Sequence, residues 1–95
     1  MSHEQRYPCQ CCGYLTLSEP GMGTFEICKV CFWEDDPVQN HDPAFCGGAN
    51  KVSLHDARRN YRAFGASQAR LVKLVRSPLP DEYPPSTDPN LPHSP

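Results

Sequence analysis

The stretch Tyr7-Pro8-Cys9-Gln10-Cys11-Cys12-Gly13-Tyr14, followed thirteen residues later by Cys28-Lys29-Val30-Cys31, decides how this chain folds. Taken as Cys9, Cys12, Cys28 and Cys31, the cysteines read C-x2-C-x15-C-x2-C, a spacing typical of four-cysteine zinc sites. Two intervening residues turn the chain once, so both thiolates of a pair face the same ion. Two such knuckles close a tetrahedron of sulfurs around Zn2+ at about 2.3 Å. The spacing therefore predicts a closed, structural zinc site. A catalytic zinc keeps one position open for water, and no Ser/His/Asp set can be placed from spacing. No enzymatic activity is expected.

Outward from the knuckles, Tyr14–Leu17 and Thr24–Ile27 are rich in β-branched and aromatic residues and read as strands. Pro20-Gly21 between them marks a turn. The expectation is a hairpin with a knuckle beside each end, and Gly13 supplies the positive φ at the first knuckle's exit. Phe32-Trp33 is expected to pack over this hairpin. Glu34-Asp35-Asp36 reads as a solvated acidic run, short of the oxygen ligands a second, hard cation needs. Residues 37–52 look irregular, a long loop for so small a domain. Gly47-Gly48 implies a turn or a tight backbone approach, and it lacks the Gly-Lys-Ser/Thr context of a phosphate loop.

Ser53 then caps a helix, with Asp56 as its acidic capping partner. Leu54, Ala57, Tyr61 and Phe64 recur at helical spacing, and Gly65 stops the helix. A second helix is predicted from Ser67, with Leu71, Val72 and Val75 facing inward and Pro78 ending it. The fold expected is a small metal-stapled α+β domain: a zinc-ribbon hairpin, two short helices and a tail. Seven of the eleven prolines follow residue 76. The domain is placed at 7–80, and 81–95 is read as a disordered, proline-rich tail.

A chain of 95 residues buries little apolar surface, so a staple is expected. Six cysteines would also allow disulfides in a secreted domain. The start Met1-Ser2-His3-Glu4-Gln5-Arg6 is polar, no signal-like apolar run follows it, and no stretch is long enough to span a membrane. A cytoplasmic, metal-binding protein is the expectation. Charge is segregated. Residues 1–52 carry three cations and seven anions, residues 53–76 six cations and one anion, and the remainder three anions. The basic segment is Arg58, Arg59, Arg62, Arg70, Lys73 and Arg76. It is either a solvated face neutralised by its own chain or a surface for an acidic partner.

Two cysteines and four histidines are left over. Cys11 is expected to point away from the metal as a small buried filler, with a reactive thiol as the alternative. Cys46, in the loop, is expected to be a buried or half-exposed free thiol and the substitute ligand if one of the four failed. His3, His41, His55 and His93 are expected at the surface, since four cysteines already complete the site.

The runs 7–14, Ile27-Cys28-Lys29-Val30-Cys31-Phe32-Trp33-Glu34-Asp35-Asp36, Gly47-Gly48-Ala49-Asn50 and Val52-Ser53-Leu54 together resemble the cysteine-rich CPCC domain family over residues 7–80. Gln10 stands where the family's Cys-Pro-Cys-Cys run has proline, and Phe32 stands where ribbon knuckles often have glycine. The resemblance implies a bacterial, cytoplasmic, zinc-ribbon-like protein with no settled activity. The first knuckle, Cys-x-x-Cys-Gly-Tyr, is also similar to that of rubredoxin. Three functions follow as expectations: a zinc-stapled protein-interaction or regulatory module, a nucleic-acid-binding zinc ribbon using the basic segment, and a rubredoxin-like iron protein that transfers electrons.

Overall fold

The computed structural model describes residues 5–20 and 23–84. Strand β1 (Tyr7–Pro8) leads into the first knuckle and β2 (Leu15–Leu17) leads out of it. They pair antiparallel, Tyr7 opposite Leu17 and Pro8 opposite Leu15, with an irregularity between. This corrects the expected hairpin, because β2 is not paired with Thr24–Ile27. That second run folds back on the residues after the second knuckle. Cys28 N–H donates to Trp33 O at 3.0 Å, Asp35 N–H to Glu26 O at 3.0 Å and Phe25 N–H to Asp35 O at 2.9 Å, around a bridge between Ile27 and Glu34. The reason is geometric. A C-x2-C knuckle is itself a tight turn that lays its two flanks side by side, so each ligand pair closes its own short ladder. Side chains help join the halves: Glu26 Oε1 accepts from Ser18 N–H at 2.8 Å and from its hydroxyl at 3.0 Å.

Helix α1 is one short piece, Pro37–His41, inside the loop expected to be irregular. Helix α2, Leu54–Phe64, starts and stops where its sequence says. Ser53 Oγ accepts from Asp56 N–H at 3.1 Å, and Gly65, at φ +85°, returns its N–H to Tyr61 O at 2.9 Å. The Asp56 carboxylate pairs with Arg59. Leu54 and Ala57 are fully buried and Tyr61 packs on the core with Tyr14, Val30 and Trp33. Trp33 is 1% exposed, as a shared ribbon–helix core requires. Phe64 does not join it. The last turn of α2 runs past the ribbon, leaving Phe64 42% exposed, and Phe25 and Ile27 are also at the surface.

The predicted second helix is reduced to a single 3-10 turn, Ala69–Leu71, with only Leu71 buried among its inward candidates; Val72 is exposed and Val75 half-buried. Ser67 does not cap it. Its N–H donates to Cys31 O at 2.8 Å and its carbonyl accepts from Asn60 Nδ2 at 2.9 Å. Arg76 N–H donates to Lys29 O at 3.2 Å. A helix of about ten residues is marginal by itself, and docking this segment on the second knuckle satisfies the backbone instead.

Of the acidic run only Glu34 reaches solvent, half-buried, while Asp35 and Asp36 are buried. Asp35 Oδ2 accepts from Gly23 N–H at 3.0 Å, Thr24 N–H at 2.8 Å and the Thr24 hydroxyl at 3.0 Å; its Oδ1 accepts from Asn40, whose own Oδ1 accepts from Trp33 Nε1 at 3.2 Å. Asp36 N-caps α1 through Val38 N–H at 2.8 Å and Gln39 N–H at 3.3 Å, and accepts from Ala49 N–H at 2.8 Å. Burial pushes the Asp36 carboxyl up, but the N–H groups of Ala49, Gln39 and Val38 outweigh it and hold it below the ordinary aspartate value. Fully buried Gln39 accepts from Asn50 N–H and Nδ2, both at 2.9 Å, and its amide reaches Val52 O at 2.9 Å. Asn50 takes both backbone groups of Glu34, N–H at 2.8 Å and carbonyl at 2.9 Å, as a neighbouring strand would. Gly48 is the tight approach its sequence implied: a Cβ there would lie 2.6 Å from Asp36 Oδ2.

After Pro78 the chain is still packed. A 3-10 turn at Pro80–Glu82 buries Glu82, which takes both terminal nitrogens of Arg76 at 2.8 Å and Leu79 N–H at 2.8 Å. Tyr83 sets its ring edge-on to Tyr14 at 5.1 Å. Residues 81–83, read from sequence as the start of the tail, are thus docked on the ribbon, and 85–95 lie outside the described residues.

Two outcomes follow. Leu54→Ala is expected to cost about 2–5 kcal/mol as a core truncation, and Phe64→Ala less than about 1 kcal/mol as a surface change, measured by denaturant unfolding of the metal-loaded protein. The Arg76 guanidinium holds the Glu82 carboxyl below the ordinary glutamate value, against the opposing effect of burial. A carboxyl depressed in the folded state stabilises above its unfolded pKa of about 4.3 and loses that contribution as pH falls through the lower folded value. The stability gap between the natural chain and Glu82→Gln is therefore expected to be full at pH 7 and to shrink below about pH 4. A gap independent of pH would show that the ion pair is not what docks this segment.

Candidate metal centre

Each knuckle presents its cysteines from a loop whose own backbone points N–H groups at sulfur. Cys11 N–H donates to Cys9 Sγ, Val30 N–H to Cys28 Sγ and Trp33 N–H to Cys31 Sγ, each at 3.4 Å. Thr16, on β2, adds its hydroxyl to Cys28 Sγ at 3.0 Å. Each knuckle is followed by a residue with left-handed backbone. At the first it is Gly13, φ +83°, and at the second it is Phe32, φ +68°. The second knuckle therefore keeps the same turn without its glycine, at a cost in backbone strain of about 1–2 kcal/mol.

The structure brings Cys9, Cys12, Cys28 and Cys31 together, their sulfurs all within 4.8 Å of one another. Across the two knuckles Cys9 and Cys31 stand 3.6 Å apart, as do Cys12 and Cys28. A regular tetrahedron of sulfurs at about 2.3 Å from one ion has edges of about 3.8 Å. The donor set fits a tetrahedral thiolate-bound ion of the zinc or iron kind. Three of the four cysteines are buried, and Cys12 is half-buried.

The thiols of the set oppose one another's ionisation. The thiols of Cys12, then Cys31 and Cys9, pull Cys28 well below the ordinary thiol value, and Thr16 adds to this. Its partners move the other way. Cys12 is pushed up by Cys28 first, and Cys31 by its thiol neighbours with Cys11 foremost. Four sulfurs so close cannot all ionise unless a cation lies among them. Cys11 is buried and outside the four-sulfur group, as the small filler expected, although its thiol neighbours Cys31. Cys46 is an exposed free thiol outside that group. His41 and His55 are exposed, whereas His3 and His93 lie outside the described residues.

Sequence reasoning missed what holds the knuckles shut. The carbonyl of the first residue inside each C-x2-C loop is capped by the C-terminal half of the chain. Arg58 Nε donates to Gln10 O at 2.9 Å, and the Arg76 N–H donates to Lys29 O at 3.2 Å. Ser67 N–H adds the bond to Cys31 O. A separation of 48 residues between Arg58 and Gln10 leaves no local pattern to read.

The family model described as cysteine-rich CPCC matches residues 7–82. The chain belongs to that family. No curated protein matches the chain. The match ends at Glu82, so it takes in the Arg76–Glu82 pair as well as both knuckles. The Trp33–Asp36 and Gly47–Asn50 runs that marked the resemblance supply Asp35, Asp36 and Asn50, which with Gln39 form the buried polar groups around α1. With their carboxylates filled by backbone and amide donors, Asp35 and Asp36 are not free to form a second cation site.

For this CPCC domain, Cys46→Ser is expected to retain one metal per chain and Cys28→Ser to lose both the metal and the fold, read by metal analysis and circular dichroism. Arg58→Met is expected to speed transfer of the metal to a competing chelator, because the knuckle bearing half-buried Cys12 loses its anchor, whereas Arg62→Met is expected to leave the rate unchanged.

Proposed function

We propose that this CPCC domain is a small zinc-stapled protein-interaction module, acting in a reducing compartment such as the cytoplasm and without catalytic activity of its own. The observation that carries it is the closed four-sulfur group. Cys9, Cys12, Cys28 and Cys31 supply a complete tetrahedral shell, buried on three of its four members and braced by N–H and hydroxyl donors. Such a shell has no open position for substrate or water. When bound, the ion supplies folding free energy to two ladders too short to persist alone.

The basic segment supports this reading over nucleic-acid binding. Four of its six cations have partners within the chain: Arg58 on Gln10, Arg59 on Asp56, Arg70 on Gln68 and Arg76 on Glu82. The same four-sulfur geometry also suits iron, which makes metal identity the decisive measurement. Protein purified without added metal is expected to be colourless, with one zinc per chain, and to unfold when a strong chelator is added. A red protein with a reversible one-electron couple would overturn the zinc assignment and restore electron transfer. Crosslinking in cells followed by mass spectrometry is expected to return a specific protein partner, and finding none would overturn the interaction role.

A further inference from the structure

Resting on the metal centre proposed above and going beyond its scaffold role, we propose that Cys11 is a reserve ligand that takes the place of Cys12, leaving Cys12 as a thiol that a soft electrophile modifies without loss of the fold. The two knuckles differ at a matched position. Cys9-Gln10-Cys11-Cys12 corresponds to Cys28-Lys29-Val30-Cys31. The third residue of each sends its N–H to the first cysteine's sulfur at 3.4 Å, and both third residues are buried in the same core. Val30 shows that the place needs only an apolar filler. The first knuckle puts a fifth sulfur there instead, beside Cys31 at the edge of the four-sulfur group.

Cys12 is the ligand held least. Cys9, Cys28 and Cys31 each accept a backbone N–H, and Cys28 also accepts the Thr16 hydroxyl. Among the described residues no N–H or hydroxyl donates to Cys12 Sγ, whose contact is Cys28 Sγ at 3.6 Å. The Trp33 N–H that braces Cys31 has no counterpart at Tyr14, the matching residue of the first knuckle. Such outer partners orient a ligand and typically contribute roughly 10–100-fold in metal affinity. Cys12 is also the one member of the four that is only half-buried, and a reachable thiolate is the reactive kind. Gly13 beside it has room to move: a Cβ built there meets no atom within 4 Å. Glycine's wide backbone range lets this corner turn Cys12 outward.

The exchange balances. Cys11 gives up its thiol proton as its sulfur enters the shell. The departing Cys12 thiolate either takes up a proton or attacks the electrophile. In the second case a sulfur–carbon bond forms, the leaving group departs with its electron pair, and the Cys11 proton passes to solvent. Cys46, exposed and outside the group, is not placed to substitute.

The test uses the full, metal-loaded chain and iodoacetamide, read by peptide mass spectrometry, metal analysis and circular dichroism. Cys12 is expected to be modified before Cys9, Cys28 and Cys31, with one metal per chain and the fold retained. In Cys11→Val, which Val30 shows to suit the position, modification of Cys12 is expected to release the metal at least tenfold faster than in the natural chain. Without the reagent, Cys12→Ser is expected to hold one metal. With cobalt as the probe, its thiolate-to-metal charge-transfer absorption is expected to match that of the natural chain. Cys11→Val combined with Cys12→Ser is expected to show weaker absorption and at least tenfold weaker binding than Cys12→Ser. Equal metal loss from Cys12→Ser and this double variant would overturn the proposal, as would release on Cys12 modification that is as fast in the natural chain as in Cys11→Val. Loss of metal from Cys11→Val alone would overturn it by making Cys11 a resident ligand. Cys12→Ser that loses its metal only when combined with Cys46→Ser would overturn it in favour of Cys46. A natural chain that binds no metal would overturn the metal centre itself; every other adverse result overturns the reserve ligand and leaves that centre standing.

Discussion

Four sulfurs held within 4.8 Å of one another are the constraint on which the rest of this molecule depends. Left to themselves they oppose each other, because a thiolate raises the cost of ionising its neighbour. A tetrahedrally bound cation reverses the sign and converts the same proximity into folding free energy. The two strand ladders flank the sulfurs directly and contain only a few residue pairs each, too few to be stable as isolated sheets. They are ordered because the knuckles they flank are tied to a common point.

Around that point the domain is closed by polar as well as apolar contacts. Trp33, Tyr14, Val30, Leu54 and Ala57 form the apolar centre, but Asp35, Asp36, Gln39 and Asn50 are equally buried. Buried polar groups are costly unless each finds a partner, and here the partners are backbone groups of the loop that would otherwise be unsatisfied. The network thus does for residues 37–52 what a strand or long helix does elsewhere. The C-terminal half completes it by capping carbonyls on both knuckles, so loss of the metal and loosening of α2 are coupled through Arg58, Ser67 and Arg76.

That coupling bears on function. The second knuckle carries a phenylalanine at positive φ, and Ile27 and Leu74 are left in solvent, which is compatible with the scaffold role proposed above. In the function proposed above, a metal held by the four cysteines would stiffen that surface without touching its partner.

The sequence by itself determined which four cysteines cluster, the α2 helix with its Ser53 and Gly65 ends, the burial of Trp33 and the family. All of these rest on local chemistry: a two-residue spacer, a capping hydroxyl, a glycine φ and a helical repeat. Only the tertiary structure decided the rest. The hairpin was misplaced because a knuckle is itself a turn, which strand propensity does not reveal. Asp35 and Asp36 read as solvent-facing because their donors, Gly23, Thr24 and Ala49, come from other segments. Phe64 and Val72 fit an apolar repeat, yet both stay outside the core, Phe64 on the wall of a cavity it shares with Val75 and Pro78. The helix expected after Ser67 gave way because Cys31 and Lys29 offered its backbone better partners than its own next turn, and that competition exists only once both knuckles have closed around their sulfurs.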